Sequence, residues 1–289
     1  MKTKYALPLA ALAVFSLTCL AQDPDHSWSR TYPVAGKPTL NLETADAGVE
    51  FRPCGDCHEI RIHVELVGRK MSDYRLEEGQ SGDQVHFLFK ERPQLGPHMG
   101  WHNVHTQVTI ESPAQITLEA KTSDGGVTLS GLHGDLSLTT RDGGIALDHV
   151  SGNLRIRASD GHVKVTDAEG AIDAHTNDGN LTVDGLFHAI ALHTGDGTLE
   201  VNLREGTRLG GPSTIQTSDG SVTVRVPRSF AADLDVHTSD GHLDCSLPLT
   251  MDHYQSGEEG GHKLRGKLNG GGTPLTIHTS DGNVKIEYL

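Results

Sequence analysis

An Asp-Gly pair returns every 18 residues through the middle of this chain, at Asp124-Gly125, Asp142-Gly143, Asp160-Gly161, Asp178-Gly179 and Asp196-Gly197. It returns at wider intervals at Asp219-Gly220, Asp240-Gly241 and Asp281-Gly282. A fixed period this short makes each repeat one small supersecondary unit, unable to bury its own apolar face and obliged to stack on its neighbours.

Counting each repeat from its Asp shows what is stacked. Position +3 is Val127, Ile145, Val163 and Leu181, and position +5 is Leu129, Leu147, Val165 and Val183. Residues two apart on a strand share a face, so these form one apolar row per coil. A second alternating pair follows at +12 (Leu136, Leu154, Ile172, Ile190) and +14 (Leu138, Ile156, Ala174, Leu192). Between them, +8 holds Leu132, Val150, Ala168 and Leu186, and +10 holds Gly134, Gly152, Gly170 and then His188. The repeat is therefore strand, bend, strand, turn. A meander of hairpins would also use Asp-Gly as its turn signal, but it would not need a constant period. In a β-helix each strand pairs with its equivalent about 4.8 Å away, which keeps one residue type at each position. The fold class expected is all-β, a single-stranded β-helix or β-solenoid with coils of about 18 residues, each lying on the one before it in sequence.

The offsets recur outside the regular block. Val222 and Val224 follow Asp219, Leu243 and Cys245 follow Asp240, Val284 and Ile286 follow Asp281, and Val49 and Phe51 follow Asp46. The solenoid is thus read as residues 38–289. Residues 38–119 are taken as irregular cap strands, against edge-to-edge growth, and 120–289 as regular coils with a loop at 251–272. A second loop, 92–105, surrounds Trp101. Residues 22–37 are an extension, and residues 1–21 have the layout of a secretory leader, with Lys2 and Lys4 before an apolar run that ends at Cys19-Leu20-Ala21. Cleavage after Ala21 is preferred to lipidation of Cys19, because Ser16 and Thr18 depart from the lipoprotein pattern. No other stretch reaches the roughly 18 apolar residues that span a bilayer. The chain is read as exported, to the periplasm, the outer-membrane surface or the medium.

Composition narrows the partners. A net charge of -14 repels nucleic acid and anionic membrane. Aromatics are only 4% while Gly numbers 34, so the interior must be aliphatic and built from many short strands.

The reiterated Thr-Ser-Asp-Gly-x-Val/Leu-x-Val/Ile segments at Thr122, Thr217, Thr238 and Thr279, with the run from Gly270 to Val284, carry a family resemblance. The chain resembles the bacterial putative-adhesin domain family, secreted or envelope β-solenoids that form a domain of unknown function. The resemblance covers most of residues 38–289. It implies a binding or structural role and supplies no catalytic residues to carry over.

Candidate chemistry rests on a few groups. Aspartates stacked one coil apart would repel. Hydrogen bonds from turn N–H groups, with each following Gly at positive φ, are the reading adopted, and a row of Ca²⁺ ions is the alternative. Three residues before each Asp runs a column of Lys121, Thr139, Arg157, His175, His193, Gln216, His237 and His278. His175 and His193 would sit on adjacent coils and could share Zn²⁺ or Cu²⁺, against the plainer reading of a solvated face. Cys54-Gly55-Asp56-Cys57-His58 matches the haem-attachment pattern C-x-x-C-H, and a disulfide-bearing turn, or two thiols, is the plainer reading. His98, His102 and His105 lie around Trp101, as metal ligands or as a packed loop. Cys245 sits in a core column, as an apolar filler. The threonine column Thr122, Thr140, Thr176 and Thr194 breaks at Ala158, which argues against an ice-binding face.

The reading adopted is a non-catalytic exported binding or structural protein with no cofactor. Its partner would be an envelope protein, a glycan or its own copies. A metal or haem carrier and a β-helical polysaccharide-active enzyme are the alternatives. The enzyme would need an irregular cluster of acids and Lys or Arg on one face, with carboxylates at a defined separation.

Overall fold

The computed structural model describes residues 25–92, 104–256 and 261–289. Three groups of strands follow one another along the chain. The first comprises β1 (Ser27–Pro33), β2 (Thr39–Thr44), β3 (Gly48–Pro53), β4 (Glu59–Val67), β5 (Tyr74–Ser81), β6 (Gln84–Glu91) and β7 (His105–Ser112). The coils comprise β8 (Gln115–Lys121), β9 (Val127–Ser130), β10 (His133–Thr139), β11 (Ile145–Asp148), β12 (Ser151–Arg157), β13 (Val163–Thr176), β14 (Leu181–Thr194), β15 (Leu199–Leu203), β16 (Ser213–Thr217) and β17 (Val222–Val226). Last come β18 (Ala232–Thr238), β19 (Leu243–Cys245), β20 (Leu249–Ser256), β21 (His262–Leu268), β22 (Pro274–Thr279) and β23 (Val284–Tyr288).

Each coil contributes one segment that runs into its Asp-Gly corner and one that leaves it, so a single continuous sheet wraps as two parallel walls, an arriving and a leaving sheet, about a common apolar interior. The arriving sheet pairs β8 with β10, β10 with β12, and β12 with the second half of β13. The leaving sheet pairs Val127 with Ile145 and Ile145 with Val163. The +3, +5, +12 and +14 columns are buried throughout the regular coils. A buried Val, Leu or Ile side chain stabilises by about 1.5–3 kcal/mol relative to exposure, so these aliphatic columns are what holds the coils together.

Space fixes the corner residues. A Cβ on Gly143 would stand 2.2 Å from the carbonyl oxygen of Gly125, and one on Gly161 would stand 2.1 Å from that of Gly143. The glycines of the Asp-Gly corners do not have the positive φ expected of them. Positive φ belongs instead to the +10 glycines, such as Gly152 at 114°. Nor do the aspartates collect the turn amides. Asp142 N–H donates to Ser123 O at 2.9 Å and Asp160 N–H to Arg141 O at 2.9 Å, both one coil away. At every Asp-Gly corner but that of Asp160, where Ala158 takes its place, the threonine two places before the Asp closes the corner from inside. Thr122 Oγ1 donates to Ala45 O at 2.8 Å, Thr194 Oγ1 to Gly179 O at 3.0 Å and Thr238 Oγ1 to Gly282 O at 2.9 Å. These threonines are buried, so they face the interior and not water.

One expected core residue is displaced. Pairing between β13 and β14 shifts register twice, setting Ala168 against Gly185 and Gly170 against Phe187. Phe187 is therefore buried, while Leu186, expected in the +8 column, is only half-buried. Gly185 makes room, since a Cβ there would meet the Phe187 ring at 2.8 Å.

The ends of the stack depart from sequence order. The coil of β22 and β23 lies between that of β16 and β17 and that of β18 and β19. Likewise β2 lies between β6 and β8, and β3 between β7 and β9. Coils thus lie each on the one before only through the middle of the chain. The reason lies in what covers each end. Antiparallel strands β5 on β6 and β4 on β7 close one end, and the hairpin β20–β21 on β18 closes the other. Residues 251–256 and 262–268, expected within a loop, are strand residues of that hairpin. Four aromatics plug the first end, with Trp28 on Phe87 and Tyr74 stacked on Phe89 at centroid distances of 5.3 and 4.5 Å.

The corner geometry gives a direct comparison. Gly161→Ala should destabilise the fold by about 3 kcal/mol in urea unfolding, through backbone overpacking. Gly211→Ala, with nothing within 4 Å of its Cβ position, should change stability by no more than about 0.5 kcal/mol.

Candidate functional site

Outward-facing residues of the arriving sheet form an open groove of about 720 Å³ that crosses five successive rungs from β8 to β14. They lie at +11 and +13, between the inward +12 and +14, so strand alternation alone turns them to solvent. The floor is small or polar, with Thr117, Ser137, Asn153, Ala171, Ala189 and Ala191, and Pro212 stands at one end. Its charged groups are Glu119, Asp135, Arg155 and Asp173. Asp135 accepts from Asn153 Nδ2 at 2.8 Å and from Lys37 Nζ at 3.2 Å, which together hold its carboxyl below the usual range. Asp173 pairs with Arg157 at 2.7 Å, and Glu119 with Lys121 at 2.6 Å. Sequence reasoning missed this groove. The signal present was alanine at +11 in two consecutive coils, Ala171 and Ala189, and at +13 in the second, Ala191, which lowers the floor.

Two ladders read from the sequence do form. The corner aspartates, Asp46 included, are exposed along one edge of the stack. Arg141 reaches between Asp124 and Asp142, at 3.5 and 3.7 Å. Asp46 and Asp142 are pushed above the usual carboxyl range, first by desolvation and then by hydrogen bonding to and repulsion from Asp124. In the other column the stacking order is Lys121, Thr139, Arg157, His175, His193, Gln216, His278, His237. His175 and His193 stack with centroids 4.6 Å apart and planes 11° from parallel, and His237 on His278 at 5.2 Å. Rings stacked in this way aim their in-plane lone pairs along parallel lines and not at a common point, which a shared metal ion would require. Burial, then His175, pushes His193 below its ordinary value. Among the described residues, no three His, Cys, Asp or Glu side chains converge as a metal site.

Cys54 and Cys57 are joined in a disulfide within the turn that follows β3, with Cα atoms 5.7 Å apart. With both sulfurs bonded to each other, neither is free for thioether attachment of haem. His58 is exposed beside them, and β4 follows in place of a helix. His105 opens β7 and is exposed, while His98, Trp101 and His102 lie outside the described residues. Cys245 is a free thiol, half-buried where a core filler was expected, because β19 has a neighbour on one side only. Burial raises its pKa.

A cluster not anticipated lies at the second bend, where Asp148, His149, Asp167, Asp184 and Arg204 meet. His149 Nδ1 is 2.7 Å from Asp148 and Nε2 is 2.7 Å from Asp167. Arg204 pairs with Asp167 and, at 2.5 Å, with Asp184. An imidazole between two carboxylates donates from both nitrogens only when protonated. Hydrogen bonding to Asp148 and attraction to both carboxylates accordingly raise the His149 pKa. The signal in sequence was the acid at +6 or +7 in three consecutive coils.

Comparison with known proteins decides the family. The model of Toastrack DUF4097 matches residues 39–287. The chain belongs to that family. The kinship read from the Thr-Ser-Asp-Gly segments is thereby borne out. Among solved structures, a putative adhesin from Bacteroides fragilis is 11% identical with a TM-score of 0.34, over 91% of this chain and 97% of that one. A putative cell adhesion protein from Clostridium sporogenes is 10% identical with a TM-score of 0.27, over 91% of this chain and 100% of that one. Likeness so distant carries no statement about what this Toastrack chain binds. No curated protein matches it. Among the described residues no helix is long and apolar enough to cross a membrane.

The His149 bridge gives this Toastrack chain a testable pH dependence. A folded pKa above the unfolded value means stabilisation fully present below about pH 6.5 and lost as pH rises through the folded value. His149→Gln should therefore lower the melting temperature at pH 5.5 more than at pH 8.5. Asp167→Asn should shift the His149 titration, followed by NMR, back toward the ordinary range.

Proposed function

We propose that this Toastrack protein is an exported, non-catalytic, adhesin-like binding protein of the cell envelope, whose groove across β8 to β14 receives an extended glycan. The groove carries the reading. It runs along the stack axis, and a rung every 4.8 Å or so brings hydroxyl, amide and charged groups to its floor in succession, as a polysaccharide repeats its sugars. The floor is a sheet face and not a sheet edge, so it offers no unpaired backbone to which a peptide strand could add. Small side chains at Ala171, Ala189 and Ala191 leave room for a chain lying across them.

The same groups speak against hydrolysis. A glycosidase needs one carboxyl with a raised pKa as its acid, whereas the groove carboxylates of Asp135, Asp173 and Glu119 are paired with cations and Asp135 is held low. The leader-like residues 1–21 support export; they lie outside the described residues.

Purified protein screened on a glycan array should bind an extended polysaccharide. Ala191→Trp and Arg155→Glu, both outward-facing, should each weaken that binding more than about tenfold, or about 1.4 kcal/mol, with the melting temperature unchanged. Absence of any glycan bound by the wild-type protein, or binding undiminished in Ala191→Trp, removes the groove from consideration.

A further inference from the structure

The far end of the stack is not flush. On the arriving sheet two antiparallel strands, β21 and then β20, continue beyond β18, whereas the leaving sheet stops at β19, which pairs only with β23. The result is a step two strands high, about 10 Å.

The riser of that step is apolar and points inward. Leu268, Gly266 and Leu264 of β21 sit opposite Ala232, Leu234 and Val236 of the core and are buried. Leu249, Met251 and Tyr254 of β20 pair directly with Leu268, Gly266 and Leu264. Directly opposed residues of an antiparallel pair put their side chains on one face. These three side chains thus extend the interior columns by one more strand. The bulge between Met251 and His253 keeps Met251 and Tyr254 on that face. Yet Met251 is 48% and Tyr254 55% exposed, against 5% for Leu264 and 0% for Leu268 one strand inward. At the foot of the step, Leu243 and Cys245 are half-buried where their column mates Val284 and Ile286 are buried. The outer backbone edge of β19 pairs with no strand among the described residues.

We infer that this step is the contact surface for a second copy of the chain. A two-fold axis across the stack would set the high side of each copy over the low side of the other. Edge strand β20 of one copy would then add to β19 of its partner, and Met251 and Tyr254 would gain the opposing layer they lack. Such a contact is self-complementary and closes at two copies. Charge favours it despite a net charge of -14 per chain. The high side carries Lys263 and Lys267 against Asp252, Arg265 being paired with Asp235 of β18 at 2.8 Å, and the low side carries Asp240 and Asp244. The two-fold axis sets these basic and acidic groups against each other. Among the described residues the opposite end shows no such stepped apolar face. Its edge strand β5 carries Arg75, Glu77 and Glu78, and β1 carries Arg30 and ends at Pro33, features that discourage edge pairing.

Sedimentation velocity and light scattering of the purified protein, from micromolar to near-millimolar concentration, test this. Twice the chain mass is expected at the upper end. Met251→Lys combined with Tyr254→Lys should restore the single-chain mass while far-ultraviolet dichroism and melting temperature stay unchanged. Lys263→Glu should weaken the dimer about tenfold, and Asp244→Lys in the same chain should recover part of that loss. A wild-type protein that keeps single-chain mass throughout would overturn the inference. So would a dimer indifferent to the Met251 and Tyr254 substitutions, or a mass that climbs past two copies.

Discussion

Backbone meeting backbone at the Asp-Gly corner is the constraint on which the rest of the structure depends. Where Gly161 passes Gly143, and Gly143 passes Gly125, there is no room for a Cβ. That close approach lets amides and threonine hydroxyls of one coil reach carbonyls of the next. A corner held this tightly fixes the register of both strands that meet there. Once register is fixed, the aliphatic positions on either side fall into columns. Burial supplies most of the stabilisation, but the corner decides which residues are buried together.

The outer surface follows from the same arrangement. Alternation along each strand sends one set of side chains into the columns and the other to solvent, so every external position is also repeated at coil spacing. Where repeated groups carry like charge, as at the corner aspartates, desolvation and then the neighbouring Asp124 push the carboxyl pKa of Asp46 and Asp142 upward. Where acids meet bases, as around His149 and Arg204, the repeat builds a bridge between coils. The groove arises where the repeated groups are small. Asn153, followed on the next two coils by Ala171 and Ala189, and Arg155, followed by Asp173 and Ala191, are departures from the repeat.

Much of this was legible in the residues. The columns of Val127, Ile145 and Val163 and of Leu136, Leu154 and Ile172 could be read because inward positions must keep their type from coil to coil. Phe187 could not, because a register shift moves the inward position by one residue and leaves the spacing of Asp178 and Asp196 untouched. The order of the outer coils was hidden for a related reason. The offsets of Leu243 and Val284 from their aspartates name the column each belongs to and are silent on the rung. Thr194 and its equivalents were visible as a column, but their hydrogen-bond partners lie in another coil, which no local pattern records. The groove and the Asp148, Asp167 and Asp184 cluster depend on the shape of several coils together.

The placement of β22 and β23 inside the stack bears on how the molecule can be made. Middle coils can wind as they emerge from a ribosome or a translocation pore, each on its predecessor. The coil of β18 and β19 emerges earlier than β22 and β23 yet has its seat beyond them, so it must wait, with Leu234 and Val236 uncovered on one side, until residues 274–288 arrive and slide beneath it. Long-range pairings of this sort are slow to form. A product cut short before Pro274 would carry every Asp-Gly corner but the last and still lack the rung that joins its end to its body.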